Sequence, residues 1–177
     1  MRWEEHLLAV LDDLEQQAEG LALAERDALV AERGAAEYAA VDLASRLHGS
    51  VGLPLVVDVA GAGRVDGALV RAGDGWLLLA VAGTEWLVPL HAVHGVRGLP
   101  ERATSADGRP LPARLSLASA LRGIAELRAE VAVRRQDRAL TAGLLGRVGA
   151  DFVELLVGEE GTVEVLPLAA LSAVLRR

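Results

Sequence analysis

The chain has 177 residues, a net charge of −7 and 52% hydrophobic residues, enough for one ordinary domain or two very small ones. All 18 basic residues are arginine, and there is no lysine, asparagine or cysteine. This excludes a P-loop lysine, a Schiff base, a thiolate nucleophile, a disulfide and any cysteine-held metal or iron–sulfur centre.

The N-terminal stretch Met1-Arg2-Trp3-Glu4-Glu5 lacks the pattern of a secretory signal. Apolar runs such as Trp76 to Val81 are far shorter than the roughly 20 residues of a bilayer span. With no cysteine, the expectation is a soluble cytoplasmic protein with no membrane partner. Charge is uneven: residues 1–50 hold four arginines against eleven acids, whereas 51–177 are balanced. An acidic arm, placed at 1–34, is expected to precede a neutral body.

In the arm, Leu7, Leu11, Leu14, Ala18 and Leu21 alternate steps of four and three, which places them on one helical stripe. The stripe restarts beyond Gly34 as Ala36, Ala40, Leu43 and Leu47, predicting a helical hairpin or a kink at Gly34. Gly49 is expected to close the second helix in the left-handed cap conformation. Five short strands follow: Leu55 to Val59, Arg64 to Arg71, Trp76 to Val81, Glu85 to Val88 and His91 to Val96, separated by glycine turns and ended at Pro89. This makes 35–97 a helix plus a small closed barrel. Residues 98–114, with Pro100, Pro110 and Pro112, read as a linker. A helix over Leu115 to Arg128 and further strands from Val131 make 115–177 a second unit.

The second unit repeats the first. Leu43-Ala44-Ser45-Arg46-Leu47-His48-Gly49 returns 74 residues later as Leu117-Ala118-Ser119-Ala120-Leu121-Arg122-Gly123. At an offset of 76, Gly67, Leu69, Arg71, Gly73 and Trp76 match Gly143, Leu145, Arg147, Gly149 and Phe152. At 78, Gly83-Thr84 and Pro89-Leu90 match Gly161-Thr162 and Pro167-Leu168. Each widening is a two-residue insertion at a turn. Gly73 and Gly149 are expected in equivalent turns at positive φ. Trp76 and Phe152 are expected in the cores of their own barrels.

The repeat resembles the Sm-like family. Its first motif has Val57-x-Val59, then Gly67-Ala68-Leu69, the acidic turn Gly73-Asp74-Gly75 and the apolar run Trp76 to Leu79. Val88-Pro89-Leu90-His91-Ala92-Val93 is similar to its short second motif. The resemblance implies an α+β fold: an N-terminal helical arm, then two helix-plus-five-stranded Sm-like (SH3-like) small β-barrels. The family's usual RNA-pocket residues are absent: the chain has no asparagine, and Pro89-Leu90 stands where a basic residue is expected.

The chemistry-bearing patterns are sparse. His91-x-x-His94 has no third ligand of suitable spacing, so no metal is assigned. Gly61-x-Gly63-x-x-x-Gly67 precedes a strand and reads as a hairpin, not a dinucleotide site. No serine has a nucleophile elbow. Neither a catalytic site nor a cofactor is expected. The candidate interaction residues are Leu7, Leu11, Leu14 and Leu21 on the arm, Arg71 and Arg147 as equivalent anion-binding arginines, Trp86, which aligns with polar Glu164, and His91. The expected function is a non-enzymatic interaction or scaffold protein, with a protein partner or self-association through the N-terminal helix. The alternative, not favoured because the body has no excess of basic charge, is an RNA- or DNA-associated regulator of Sm-like descent.

Overall fold

In the computed structural model the described residues are 3–101, 103 and 115–176; side chains 3–15, 18 and 22 are not among them. The chain divides into two compact units, residues 1–41 and 42–177. The first is a single helix, α1 (Trp3–Ala39). It runs through both Gly20 and Gly34, so neither a hairpin nor a break forms at Gly34. The segment has no proline and is rich in Ala, Leu, Glu and Arg, whose propensities outweigh two glycines at about 1 kcal/mol each.

The second unit begins with α2 (Leu43–His48), for which the Asp42 carboxylate accepts the Ser45 N–H at 2.6 Å as an N-cap. Gly49 at its end has φ −68°, a right-handed conformation and not the expected left-handed one. The Arg46 guanidinium donates to the carbonyls of Leu99 and Pro100. Strands β1 (Pro54–Val59), β2 (Gly63–Gly73), β3 (Trp76–Val81), β4 (Thr84–Pro89) and β5 (Val93–Arg97) follow, with a 3-10 turn at Leu90–Ala92. The second repeat has α3 (Leu117–Glu126), β6 (Glu130–Arg135), β7 (Leu140–Val148), β8 (Phe152–Val157), β9 (Thr162–Pro167), a 3-10 turn at Leu168–Ala170 and β10 (Leu171–Arg176).

The elements come in the expected order, but the two separate barrels do not form. All ten strands lie in one antiparallel sheet of order β5-β1-β2-β3-β4-β10-β6-β7-β8-β9. In the first repeat β5 pairs with β1 and not with β4, so that repeat stays open. The edge of β4 is taken instead by β10, with Leu87 opposite Val174, Trp86 opposite Leu175 and Glu85 opposite Arg176. Backbone N–H and C=O groups on a strand edge need partners. A strand from the other repeat supplies them here, and the result is a continuous sheet.

Two hydrophobic clusters lie against this sheet, and they exchange residues across the junction. The first contains Leu47, Val57, Leu69, Leu77, Leu79 and Val88 together with Ala173 from β10. The second contains Leu121, Val133, Val153, Leu155 and Leu171 together with Trp76 and Leu87 from the first repeat. Trp76 is 4% exposed, but its place is in the second repeat's core. Phe152, its equivalent, is only half-buried and belongs to neither cluster.

The two equivalent glycines are needed for space, not for positive φ. Gly73 closes β2 and Gly149 lies just past β7; positive φ in the first of these turns falls on Gly75 instead, at 78°. A Cβ on Gly73 would strike the Trp76 indole, and one on Gly149 would strike the Phe152 ring. Each aromatic ring lies over the glycine three residues before it. Among the described residues no helix is long and apolar enough to cross a membrane.

Candidate interaction surfaces

On α1, Leu21 is 68% exposed, and Leu23, Leu29, Val30 and Tyr38 are exposed with it. The side chains of Leu7, Leu11 and Leu14 lie outside the described residues. The linker positions 102 and 104–114 lie outside them as well.

Sheet order leaves β5 and β9 as the two outer strands. On β9, Val163 and Val165 are 53% and 57% exposed, while their equivalents on β4 are Glu85 and the buried Leu87. Along β5, His94 and Arg97 are exposed and Val96 is half-buried. Nothing in the sequence by itself marks these strands as edges, because they read like the paired strands they repeat.

The junction is held by polar contacts as well as by its ladder. Arg176 lies 3.4 Å from Glu85 in an ion pair. The His91 ring, in the turn after β4, has Nε2 3.1 Å from the Leu171 carbonyl. With Nε2 protonated, the ring donates this bond and ties the first repeat's turn to β10. Trp86 is half-buried against the first cluster, cross-strand from both Leu79 and Leu175. Trp76 Nε1 donates to the Leu115 carbonyl at 2.8 Å, and Asp74 N–H donates to the same carbonyl at 3.1 Å. These bonds hold the start of the second repeat on the first repeat's β2–β3 turn.

Between α3, the β2–β3 pair and the junction lies a half-open cavity of about 270 Å³. Its apolar wall includes Trp76, Leu78, Leu87, Ile124 and Val174, and its charged groups are Arg71, Glu85 and Arg176. Exposed Arg71 has no ion pair or hydrogen bond from its guanidinium among the described residues.

The equivalent arginine behaves differently. Arg147 donates from Nε and Nη2 to the two oxygens of Glu154, at 3.0 and 2.9 Å. That bidentate bond holds the Glu154 carboxyl below its ordinary value and raises Arg147 above its own. Glu154 corresponds, at the offset of 76, to Leu78, the residue opposite Arg71 in the β2–β3 register. The first repeat therefore has the arginine without the acid. Side-by-side comparison of the repeats holds this signal, but only the register says that the two positions face each other.

Three further arginines are held by acids. Arg135 pairs with Asp137 at 3.1 Å and Glu164 at 2.9 Å. The Ala139 backbone N–H, with Arg135 second, lowers the Asp137 carboxyl. Arg97 pairs with Asp58 and Arg64 with Asp66. Among the described residues no group of three or more His, Asp or Glu is placed to hold a metal ion. Comparison of the chain with protein-family models gives no match, and comparison with the curated proteins gives none either.

Proposed function

We propose that this protein is a non-enzymatic, self-associating scaffold whose copies join head to tail through the outer strands of the sheet. One observation carries the reading: the chain already makes this joint once, internally, between β4 and β10. The repeat equivalents of those strands are β9 and β5, the two edges. Transferring the internal register places Val165 of one copy opposite Val96 of the next, and Glu164 opposite Arg97. An apolar pair and an opposite-charge pair then occupy the positions of Leu87·Val174 and Trp86·Leu175. Cross-strand pairs of both kinds are favourable, and exposed edge valines are otherwise a liability. Because the two surfaces differ, the contact is heterologous and gives a ring or an open chain of copies. The acidic arm is a second contact in this proposal, with Leu21 and its exposed neighbours available to another helix. Sm-like descent is part of the proposal at the level of the repeat alone, with both copies joined in one sheet. The even balance of arginines and acids over residues 51–177 weighs against the RNA- or DNA-associated alternative, which needs an excess of cations on one face.

The test is light scattering coupled to gel filtration on the full chain and on two charge swaps, Arg97→Glu and Glu164→Arg. Each swap alone should shift the protein toward monomer, and mixing the two should restore association, since the altered edges complement each other. A wild-type monomer at every concentration, or swaps without effect, would overturn the edge contact. Deletion of residues 1–33 separates the arm's share: if it alone abolishes association, the arm and not the sheet carries it. A high 260/280 nm absorbance ratio after purification would favour the nucleic-acid reading.

A further inference from the structure

We propose that the cavity beneath α3 is a binding site for a small apolar carboxylate, with Arg71 receiving the carboxylate. This does not depend on self-association. The second repeat shows what an arginine at this position binds: Arg147 takes both oxygens of the Glu154 carboxylate. In the first repeat Leu78 takes the place of that acid, so Arg71 is left without its internal partner at the cavity's edge. A planar guanidinium offers a fork that matches two carboxylate oxygens. The same Leu replacement extends an apolar wall already made by Trp76, Leu87, Ile124 and Val174.

Size and charge narrow the ligand further. The volume of about 270 Å³ is just under the roughly 300 Å³ at which ligand pockets usually begin. This fits a single ring or a branched chain better than a cofactor. Two arginines face one glutamate, and that glutamate is already engaged by Arg176. The net positive charge selects a monoanion over a neutral or cationic molecule. The ligand's apolar body would lie against Trp76, whose ring is fixed by its bond to the Leu115 carbonyl.

The probe is 4-phenylbutyrate, with its uncharged amide as the matched control, measured by titration calorimetry on the full chain. A dozen heavy atoms with ordinary efficiency give a dissociation constant of about 1 mM. The amide should bind about ten-fold more weakly, the effect of losing a charge-assisted pair. Arg71→Leu should weaken the acid by about ten-fold as well. The decisive variant is Leu78→Glu, which keeps Arg71 but rebuilds the internal pair of the second repeat; it too should lose binding. Glu154→Leu, outside the cavity, should leave binding unchanged. Far-UV circular dichroism checks that each variant is folded. Three results would each overturn the proposal: no saturable binding of the acid up to about 10 mM, equal binding of the amide, or wild-type affinity in Leu78→Glu.

Discussion

Trp76→Ala tests whether the two repeats share their cores. A buried aromatic side chain hides about 150–250 Å², which at about 25 cal/mol per Å² is worth roughly 4–6 kcal/mol. Large-to-small substitutions of this kind cost about 3–5 kcal/mol in practice. Trp76 is 4% exposed, so its substitution belongs at the upper end of that range. Removing the indole also takes away one of the two donors to the Leu115 carbonyl, adding about 1 kcal/mol. A total of about 5–6 kcal/mol corresponds to a fall in Tm of about 10–24 °C at this chain length. Phe152 is only half-buried, and Phe152→Ala should cost about 2 kcal/mol. Urea denaturation followed by far-UV circular dichroism suits both variants, because loss of a tryptophan does not compromise that signal. Hydrogen exchange adds a positional readout: Trp76 lies in the second cluster, so amides of β6 and β8 should lose protection along with those of β3. The reasoning fails if Trp76→Ala stays within about 1 kcal/mol of wild type, or if Phe152→Ala costs as much.

Gly73→Ala should destabilise by displacing the Trp76 ring, and Trp76→Ala should mask that cost in a double-mutant cycle; additive losses would refute the stacking. Ser172 is buried and its hydroxyl has no hydrogen-bond partner among the described residues, so Ser172→Ala should leave the urea midpoint unchanged or raise stability by up to about 1 kcal/mol. Ala82 has φ +47° in the β3–β4 turn, ahead of Gly83 at +80°. Ala82→Asn, giving the Asn-Gly pair preferred there, should therefore stabilise by about 0.5–1 kcal/mol in thermal melts. The Glu154 carboxyl is held below its ordinary value of 4.5, so the stability it contributes is present above that pH and is lost as pH falls through the lowered value. The Tm advantage of wild type over Glu154→Gln should thus shrink as pH is taken below about 4.5, and a gap that widens in acid would contradict the assignment.

The sequence by itself determined the local elements and the repeat. Apolar alternation and the glycine turns act over a few residues, so the strands of the first repeat and the helix after the linker lie near where the pattern places them. The helix expected from Ala36 to Leu47 is instead divided, its first residues ending α1 and its last forming α2. The internal match of Arg71 with Arg147 and of Trp76 with Phe152 was legible for the same reason. Gly34 misled because a glycine is only a small cost inside a long run of good helix formers. Gly73 misled because glycine serves two ends, positive φ and the absence of a Cβ, and the sequence cannot say which. Strand partnership was decided by the tertiary structure alone. A strand's hydrogen-bonding edge is made of backbone atoms that are the same in every strand, so nothing in the residues of β4 or β10 says whether they close their own repeats or join each other. That one pairing turned two expected barrels into a single sheet. It also moved Trp76 into the other repeat's core, left β5 and β9 at the edges, and set Arg71 at the edge of a cavity that it shares with Glu85 and Arg176.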